Sequence, residues 1–102
     1  MRMLMNVRFP HVEFNEAVKN GSVGRKLSRI IEQSGPEAVY FTEQDGMRSA
    51  ILIVNVDDPA QIPSLAEPWF LAFNADVRFR IAMTFEDLGR SALDELGKKW
   101  TL

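Results

Sequence analysis

The chain has 102 residues and a formal net charge of -2, with no cysteine and one histidine. A chain of this length supports one hydrophobic core, and we predict a single domain over residues 1–102. The composition excludes disulfides, thiolate metal sites and cysteine nucleophiles. A lone histidine cannot build a multi-histidine metal site within one chain, and the acidic balance argues against a broad phosphate-binding surface.

No segment has the properties of a targeting or membrane-spanning sequence. The first eight residues are too short and too interrupted to form the core of a signal peptide. No run approaches the roughly 20 apolar residues of a membrane helix. We therefore expect a soluble cytoplasmic protein with no membrane partner.

The first predicted strand has one apolar and one largely polar side. Apolar residues occupy every second position from Met3 to Phe9, and the positions between them are Leu4, Asn6 and Arg8. Strict alternation of this kind is typical of a half-buried strand. Pro10 and His11 end it.

A helical spacing follows, with a slip in the middle. Apolar positions from Phe14 to Val18 have helical spacing, which resumes at Val23 one residue late. Gly21 lies at the slip and can end a helix, and Ser22 can cap the next one. The pattern predicts either a kinked helix or two short helices.

The middle of the chain has the pattern of a β-hairpin. A strand over 38–42 is followed by Asp45-Gly46, a pair that supplies the positive φ angles of a tight hairpin turn. The partner strand, Arg48 to Val56, includes the run 50–54, which is apolar on both faces. A strand of this type is central in its sheet and covered on both sides.

The last part of the chain repeats the order of helix and strand. Asp58 and Pro59 are expected to cap and begin a helix, which contains the aromatic run Trp69 to Phe73. The fourth strand is predicted over Val77 to Met83, with arginines on its polar side. Thr84 and Asp87 then form a capping pattern for a last helix. That helix is expected to bear Leu88, Ala92, Leu96 and Trp100.

The element order is βαββαβ with an extra C-terminal helix. It predicts an α+β, ferredoxin-like sandwich whose four antiparallel strands lie in the order 4-1-3-2, with helices on one face only. The other face would combine apolar residues with arginines. A sheet face of this composition indicates cover by a second subunit, so we expect a homodimer in which two sheets form an α/β barrel.

The arginines of the first and fourth strands are the strongest indication of a site. Aligning Met3 with Met83 places Asn6 opposite Arg80 and Arg8 opposite Arg78, and like charges at that distance repel. A carboxylate or a bound anion should therefore lie between them. The carboxylates considered are Glu43, Glu67, Asp76 and residues of a partner subunit.

Two interpretations of this arginine face remain open. In the first, Asn6, Arg8, Arg78 and Arg80 form a pocket that binds a small carboxylated or phosphorylated molecule, with guanidiniums as bidentate clamps. In the second, the arginines make intersubunit salt bridges and have no ligand.

The residues give no complete catalytic set. His11, just after the first strand, could act as an acid or base, and Tyr40 could donate a phenolic hydrogen bond into the same pocket. A loop histidine is more often a turn or capping residue, and a strand tyrosine usually packs. These two are the catalytic candidates, whether the protein is an enzyme stays open, and no cofactor or metal is expected.

Nucleic-acid binding has one supporting motif. Gly21-Ser22-Val23-Gly24, followed by Arg25 and Lys26, resembles the Gly-x-x-Gly loop of KH domains, although glycines at a helix break also serve as caps. The third strand lacks the exposed aromatic residues of an RNA-recognition domain. We rank nucleic-acid binding below the other functions.

Three segments resemble a family of small uncharacterised bacterial proteins of the ferredoxin-like, dimeric α/β-barrel type. The segments are Pro36 to Phe41, Ala66 to Phe70 and Met83 to Leu88, and the likeness extends over most of the chain. It implies the fold and dimerisation. The wider superfamily includes cofactor-free monooxygenases, muconolactone isomerase-like enzymes and haem proteins, but no catalytic residue of theirs matches a motif here.

These observations give two expectations of function from different classes. The first is a dimeric α/β-barrel protein that binds a small anionic molecule over the sheet, as a binding protein or a cofactor-free enzyme. The second is a structural or regulatory protein-protein interaction module without a ligand. A filled polar cavity over Arg8 and Arg80 would favour the first, and a flat dry interface the second.

Overall fold

The computed structural model describes residues 1–101, which form a four-stranded antiparallel sheet with helices packed on one face. The elements are β1 (Arg2–Arg8), α1 (His11–Lys19), α2 (Val23–Ser34), β2 (Ala38–Gln44), β3 (Met47–Asn55), α3 (Gln61–Phe73), β4 (Asp76–Ile81), α4 (Phe85–Arg90) and α5 (Leu93–Lys99). The strand order is β2-β3-β1-β4, which reads 4-1-3-2 from the opposite edge. The predicted α+β class and antiparallel sheet are confirmed.

The slip in the first helical region separates two helices. Gly21 has φ +78°, in the left-handed region that favours glycine, so α1 ends and α2 starts after a sharp turn. Ser22 occupies the cap position of α2, but its hydroxyl makes no capping hydrogen bond. The Asn20 side chain instead accepts a hydrogen bond from the Ser22 N–H at 3.0 Å.

The β2–β3 hairpin closes as the sequence predicts. Asp45 and Gly46 both have positive φ, 54° and 78°, which is the geometry of a two-residue type I′ turn. Strand β2 is two residues longer than the predicted 38–42, because Glu43 pairs with Arg48 and Gln44 with Met47.

The start of α3 differs from the prediction. Asp58 and Pro59 lie in a turn before the helix, where the Asp58 carboxylate accepts a hydrogen bond from the Ala60 N–H at 2.9 Å. The Gln61 side chain accepts from the N–H of Asp57 at 2.7 Å and closes the same turn. These local hydrogen bonds compete with helix formation, so α3 begins at Gln61.

The core lies between the sheet and α1, α2 and α3. The alternate apolar residues of β1 and β3 face it, and three aromatic rings fill its centre. Phe9 meets Trp69 and Phe73 edge to face, with ring centroids 5.7 Å and 5.2 Å apart. All three side chains are buried, so the aromatic run of α3 serves the core through Trp69 and Phe73.

The C-terminal part departs most from the expectation. β4 ends at Ile81 and not at Met83 as predicted. The Ile81 side chain is 60% exposed, although its position in the alternation is on the helical face, whereas Phe79 packs against the core. The Thr84–Asp87 capping box is present. The single predicted helix is divided because Ala92 has φ +57°, outside the helical region. No residue of α4 or α5 is buried.

None of the helices formed by residues 1–101 combines the length and the apolarity needed to cross a bilayer.

Candidate functional site

The face of the sheet that points away from α1–α3, called the outer face below, has an apolar centre. Leu4 of β1 pairs with Ile53 of β3, and Ile51 of β3 pairs with Tyr40 of β2. Leu4, Ile51 and Ile53 are half-buried, and Tyr40 is 68% exposed. These four residues form one contiguous apolar patch, called the outer strip, on a face that no helix of this domain covers.

The predicted register of β1 against β4 is wrong by two residues. Met3 pairs with Ile81, not Met83, so Leu4 faces Arg80, Asn6 faces Arg78 and Arg8 faces Asp76. The alignment with Met83 fails because β4 already ends at Ile81. Since the shift is even, every side chain stays on its predicted face. The repulsion expected between Arg8 and Arg78 is replaced by an attractive pair.

Asp76 lies between two arginines at one end of the outer face. Its carboxylate accepts hydrogen bonds from Arg78 Nε at 3.1 Å and Nη2 at 3.2 Å, and Arg8 Nη2 lies 3.7 Å from Asp76 Oδ2. Hydrogen bonding by Arg78 lowers the pKa of Asp76, burial opposes this, and the charges of Arg78 and Arg8 lower it further. Arg8 also meets Asp45 of the hairpin turn at 3.2 Å. Carboxylates of the same chain therefore neutralise both arginines.

The other polar groups of the outer face are also satisfied locally. The Asn6 side-chain amide donates to Gln44 Oε1 at 2.8 Å. Arg2 forms a bidentate pair with Glu37, which raises the pKa of Arg2. Neither Gln44 nor Asp45 was recognised in the sequence as a partner, because contacts across the sheet depend on a register that the pattern leaves ambiguous.

Arg80 is the exception among the four predicted ligand-binding residues. It is exposed and lies beside Leu4 at the β4 edge. Within residues 1–101 no carboxylate lies within ion-pair distance of its guanidinium. The structure thus brings Asn6, Arg8 and Arg78 together with internal partners and leaves Arg80 as an outer-face cation without one.

The two catalytic candidates lie apart. Tyr40 is in the edge strand β2, in the same cross-sheet row as Ile51, Asn6 and Arg78. It is separated from Arg78 by three strand spacings, about 14 Å. His11 is the exposed first residue of α1 and not part of a strand of the outer face. No acid–base pair is formed by them.

A sizeable cavity lies on the other side of the molecule, in the helical layer. A groove of about 790 Å³ runs between α2 and α3, with Ile30 and Leu65 among its apolar residues and Lys26 and Arg29 among its charged ones. This groove was not predicted from the sequence, although Lys26, Arg29 and Gln33, which line it, recur at helical spacing and so share one side of α2. Asn6, Arg8, Arg78 and Arg80 do not line this groove.

Metal binding has no support in the described residues. Within 1–101, no three histidine, cysteine, aspartate or glutamate side chains are grouped in a way that could hold a metal ion.

Comparisons with known proteins do not assign the chain to a family. No protein-family model and no curated protein sequence matches the chain. Among solved structures, it is similar to a de novo designed protein, Ferredog-Diesel, with 18% sequence identity and a TM-score of 0.45. The match covers 79% of this chain and 85% of the designed one.

Proposed function

We propose that the protein is a homodimeric protein-protein interaction module, in which two copies associate through their outer faces. The observation behind the proposal is the outer strip, an uncovered apolar patch. Of the arginines that border it, Arg8 and Arg78 are already paired with carboxylates of the same chain, and Arg80 is not. Leu4, Ile51 and Ile53 lose apolar exposure when a second sheet covers them. The bordering pairs of Arg8 and Arg78 with Asp76 can enter an interface without leaving an unpaired charge.

The topology supports the same assembly. Two βαβ halves joined by the β2–β3 hairpin are the arrangement of a ferredoxin-like fold. Its helix-free face is the one through which dimeric α/β-barrel proteins associate, and the chain resembles a small bacterial family of that type. We place the dimer in the cytoplasm, because the chain has no cysteine and needs no oxidising compartment.

Replacing Ile51 by lysine tests the interface. The side chain lies at the centre of the outer strip, so an ammonium there would be desolvated on association, whereas in a monomer it reaches water. Sedimentation velocity should show the wild type as a dimer and Ile51→Lys as a monomer at the same concentration. Leu71→Lys is the matched control, because Leu71 is an exposed leucine on α3 in the helical layer. An Ile51→Lys protein that dimerises like the wild type would contradict the proposal.

A second function, binding of a small anion, has one observation in its favour. Arg80 has no carboxylate partner within residues 1–101 and stands next to Leu4, so a guanidinium and an apolar surface are available together. A small carboxylated or phosphorylated molecule would bind between the two sheets of the dimer, with Arg80 as the charged contact and Asn6 and Arg78 beside it.

Calorimetric titration with succinate and with inorganic phosphate tests this second function. We expect saturable binding of one of them to the wild type, a loss of at least tenfold in affinity in Arg80→Met, and an unchanged melting temperature. Arg25→Met, which removes an exposed arginine of α2, is the control and should bind like the wild type. Equal affinities in the two variants, or no binding of either compound, would contradict it.

A further inference from the structure

The C-terminal arm, residues 84–101, has an apolar stripe without a partner. Both of its helices place large apolar residues three or four positions apart, so each has one apolar side. The stripe consists of Phe85, Leu88, Leu93, Leu96 and Trp100. All five are exposed, with Phe85 at 89% and Trp100 at 69%. An apolar surface of this size on a small protein indicates a contact with another surface.

The arm's own domain does not cover the stripe. The chain leaves the sheet after Ile81, and the molecule measures 61 Å along its longest axis against 29 Å and 19 Å along the others. Within the described residues, neither α4 nor α5 has a packed interface with the sheet or with α1–α3. The arm therefore extends from the β4 edge.

The opposite edge of the sheet is uncovered as well. β2 is an edge strand, and its two adjacent aromatic residues lie on opposite faces, with Tyr40 on the outer face and Phe41 on the helical face. Phe41 is 52% exposed. Native proteins usually protect a long apolar edge, because it can pair with other chains. Within one copy, β2 is separated from β4 by two strands.

Association through the outer faces brings these two surfaces together. A two-fold axis parallel to the strands turns one sheet over, so that β4 of each copy lies beside β2 of the other. A perpendicular axis would place β4 beside β4. It would bring the two copies of Arg80, which has no carboxylate partner within residues 1–101, into the same strand pair, which costs energy. Charge thus favours the parallel axis, in which each arm begins next to the partner's uncovered edge.

The area that a stable dimer buries also indicates that the arm takes part in the interface. A specific interface buries roughly 800 Å² on each partner. The outer strip has four residues, three of them already half-buried, and cannot supply this area alone. The arm stripe is the other large apolar surface beside the sheet. If each copy gives its arm to the other, both arms are used within one dimer, and no further copy can add.

We propose that the arm is exchanged between the two copies of the dimer and packs its stripe against the β2 edge of the partner, over Phe41. The inference rests on the proposed function, since it requires the outer-face dimer. The arm thus binds a second copy of this chain, and the two exchanged arms stabilise the dimer.

Because the chain has no cysteine, site-specific cross-linking can test the exchange. Purified Leu96→Cys protein is reacted with excess short bismaleimide, freed of reagent, and mixed with a tagged Phe41→Cys protein under conditions that allow subunits to exchange. The expected result is a cross-linked product between the two chains, at least tenfold more abundant than with Val12→Cys, whose exposed position is on α1. Leu71→Cys, at the α2–α3 groove, tests the competing docking place.

The outcomes separate the arm exchange from the dimer itself. Cross-linking to Leu71→Cys in preference to Phe41→Cys, or no cross-link above the Val12→Cys level in a sample that sediments as a dimer, overturns the exchange and leaves the outer-face dimer standing. A sample that sediments as a monomer overturns both. Emission of Trp100, isolated by comparison with Trp100→Phe, should shift to shorter wavelength as the dimer forms, and an unchanged spectrum would also contradict the exchange.

Discussion

At the residue scale, Asp76 explains how three charges share one small area. The sequence indicated that a carboxylate or a bound anion lies near Arg8 and Arg78, with Asp76 among several candidate carboxylates, and the structure places Asp76 there. The choice between them could not be made from the pattern, because the register of β1 on β4 depends on where β4 ends. A two-residue shift preserves the alternation of faces, so hydrophobic periodicity cannot detect it.

The Asp76 cluster predicts a specific dependence of stability on pH. The pKa of Asp76 is lowered in the folded protein. The contribution of this carboxylate to the free energy of unfolding is therefore complete above its pKa in the unfolded chain, near 3.9. That contribution is lost as the pH falls through the lower pKa of the folded state. Because the pair is partly exposed, Asp76→Asn should cost only about 0.2–1 kcal/mol at pH 7. The difference from the parent should vanish toward pH 2.

Measuring that difference requires a background without the interface. Thermal unfolding of Asp76→Asn in the Ile51→Lys monomer, from pH 7 to pH 2, isolates the intrachain pair. Asp94→Asn, which removes an exposed carboxylate of α5, is the control for the loss of one negative charge. A stability difference that persists unchanged at pH 2 would show that the Asp76 effect is not electrostatic.

At the element scale, local signals predicted local structure. The Asp45-Gly46 turn, the break at Gly21 and the Thr84–Asp87 capping box were all read from residues within a few positions of one another. Each works through a short-range cause, a positive φ or a side-chain hydrogen bond to a nearby N–H. The alternation of apolar residues in the strands likewise predicted correctly on which face of the sheet each side chain lies.

Predictions of elements were wrong where the physical cause was not local. The last helix was predicted as continuous, since its apolar spacing persists across Ala92, yet that residue adopts a left-handed conformation that the sequence gives no reason to expect. Ile81 has the position of a core residue in the alternation, but the helices stop short of it. Helix coverage is a property of packing between distant segments, and the alternation within one strand does not encode it.

At the scale of the whole molecule, a single copy leaves two apolar surfaces exposed to solvent, the outer strip and the arm stripe. Neither the outer strip nor the arm stripe is covered by α1–α3. The arginines that suggested a pocket over the sheet are mostly paired within the chain. The proposed assembly into a dimer would cover both surfaces.

Sedimentation equilibrium of the wild-type protein between 1 and 100 µM, concentrations chosen to span roughly the affinities of weak and stable complexes, tests this central claim most directly. The account predicts a mass rising to twice the 11.6 kDa of the chain and no higher, because the outer-face contact and the arm exchange both close in one dimer. A constant mass of 11.6 kDa at every concentration would contradict it.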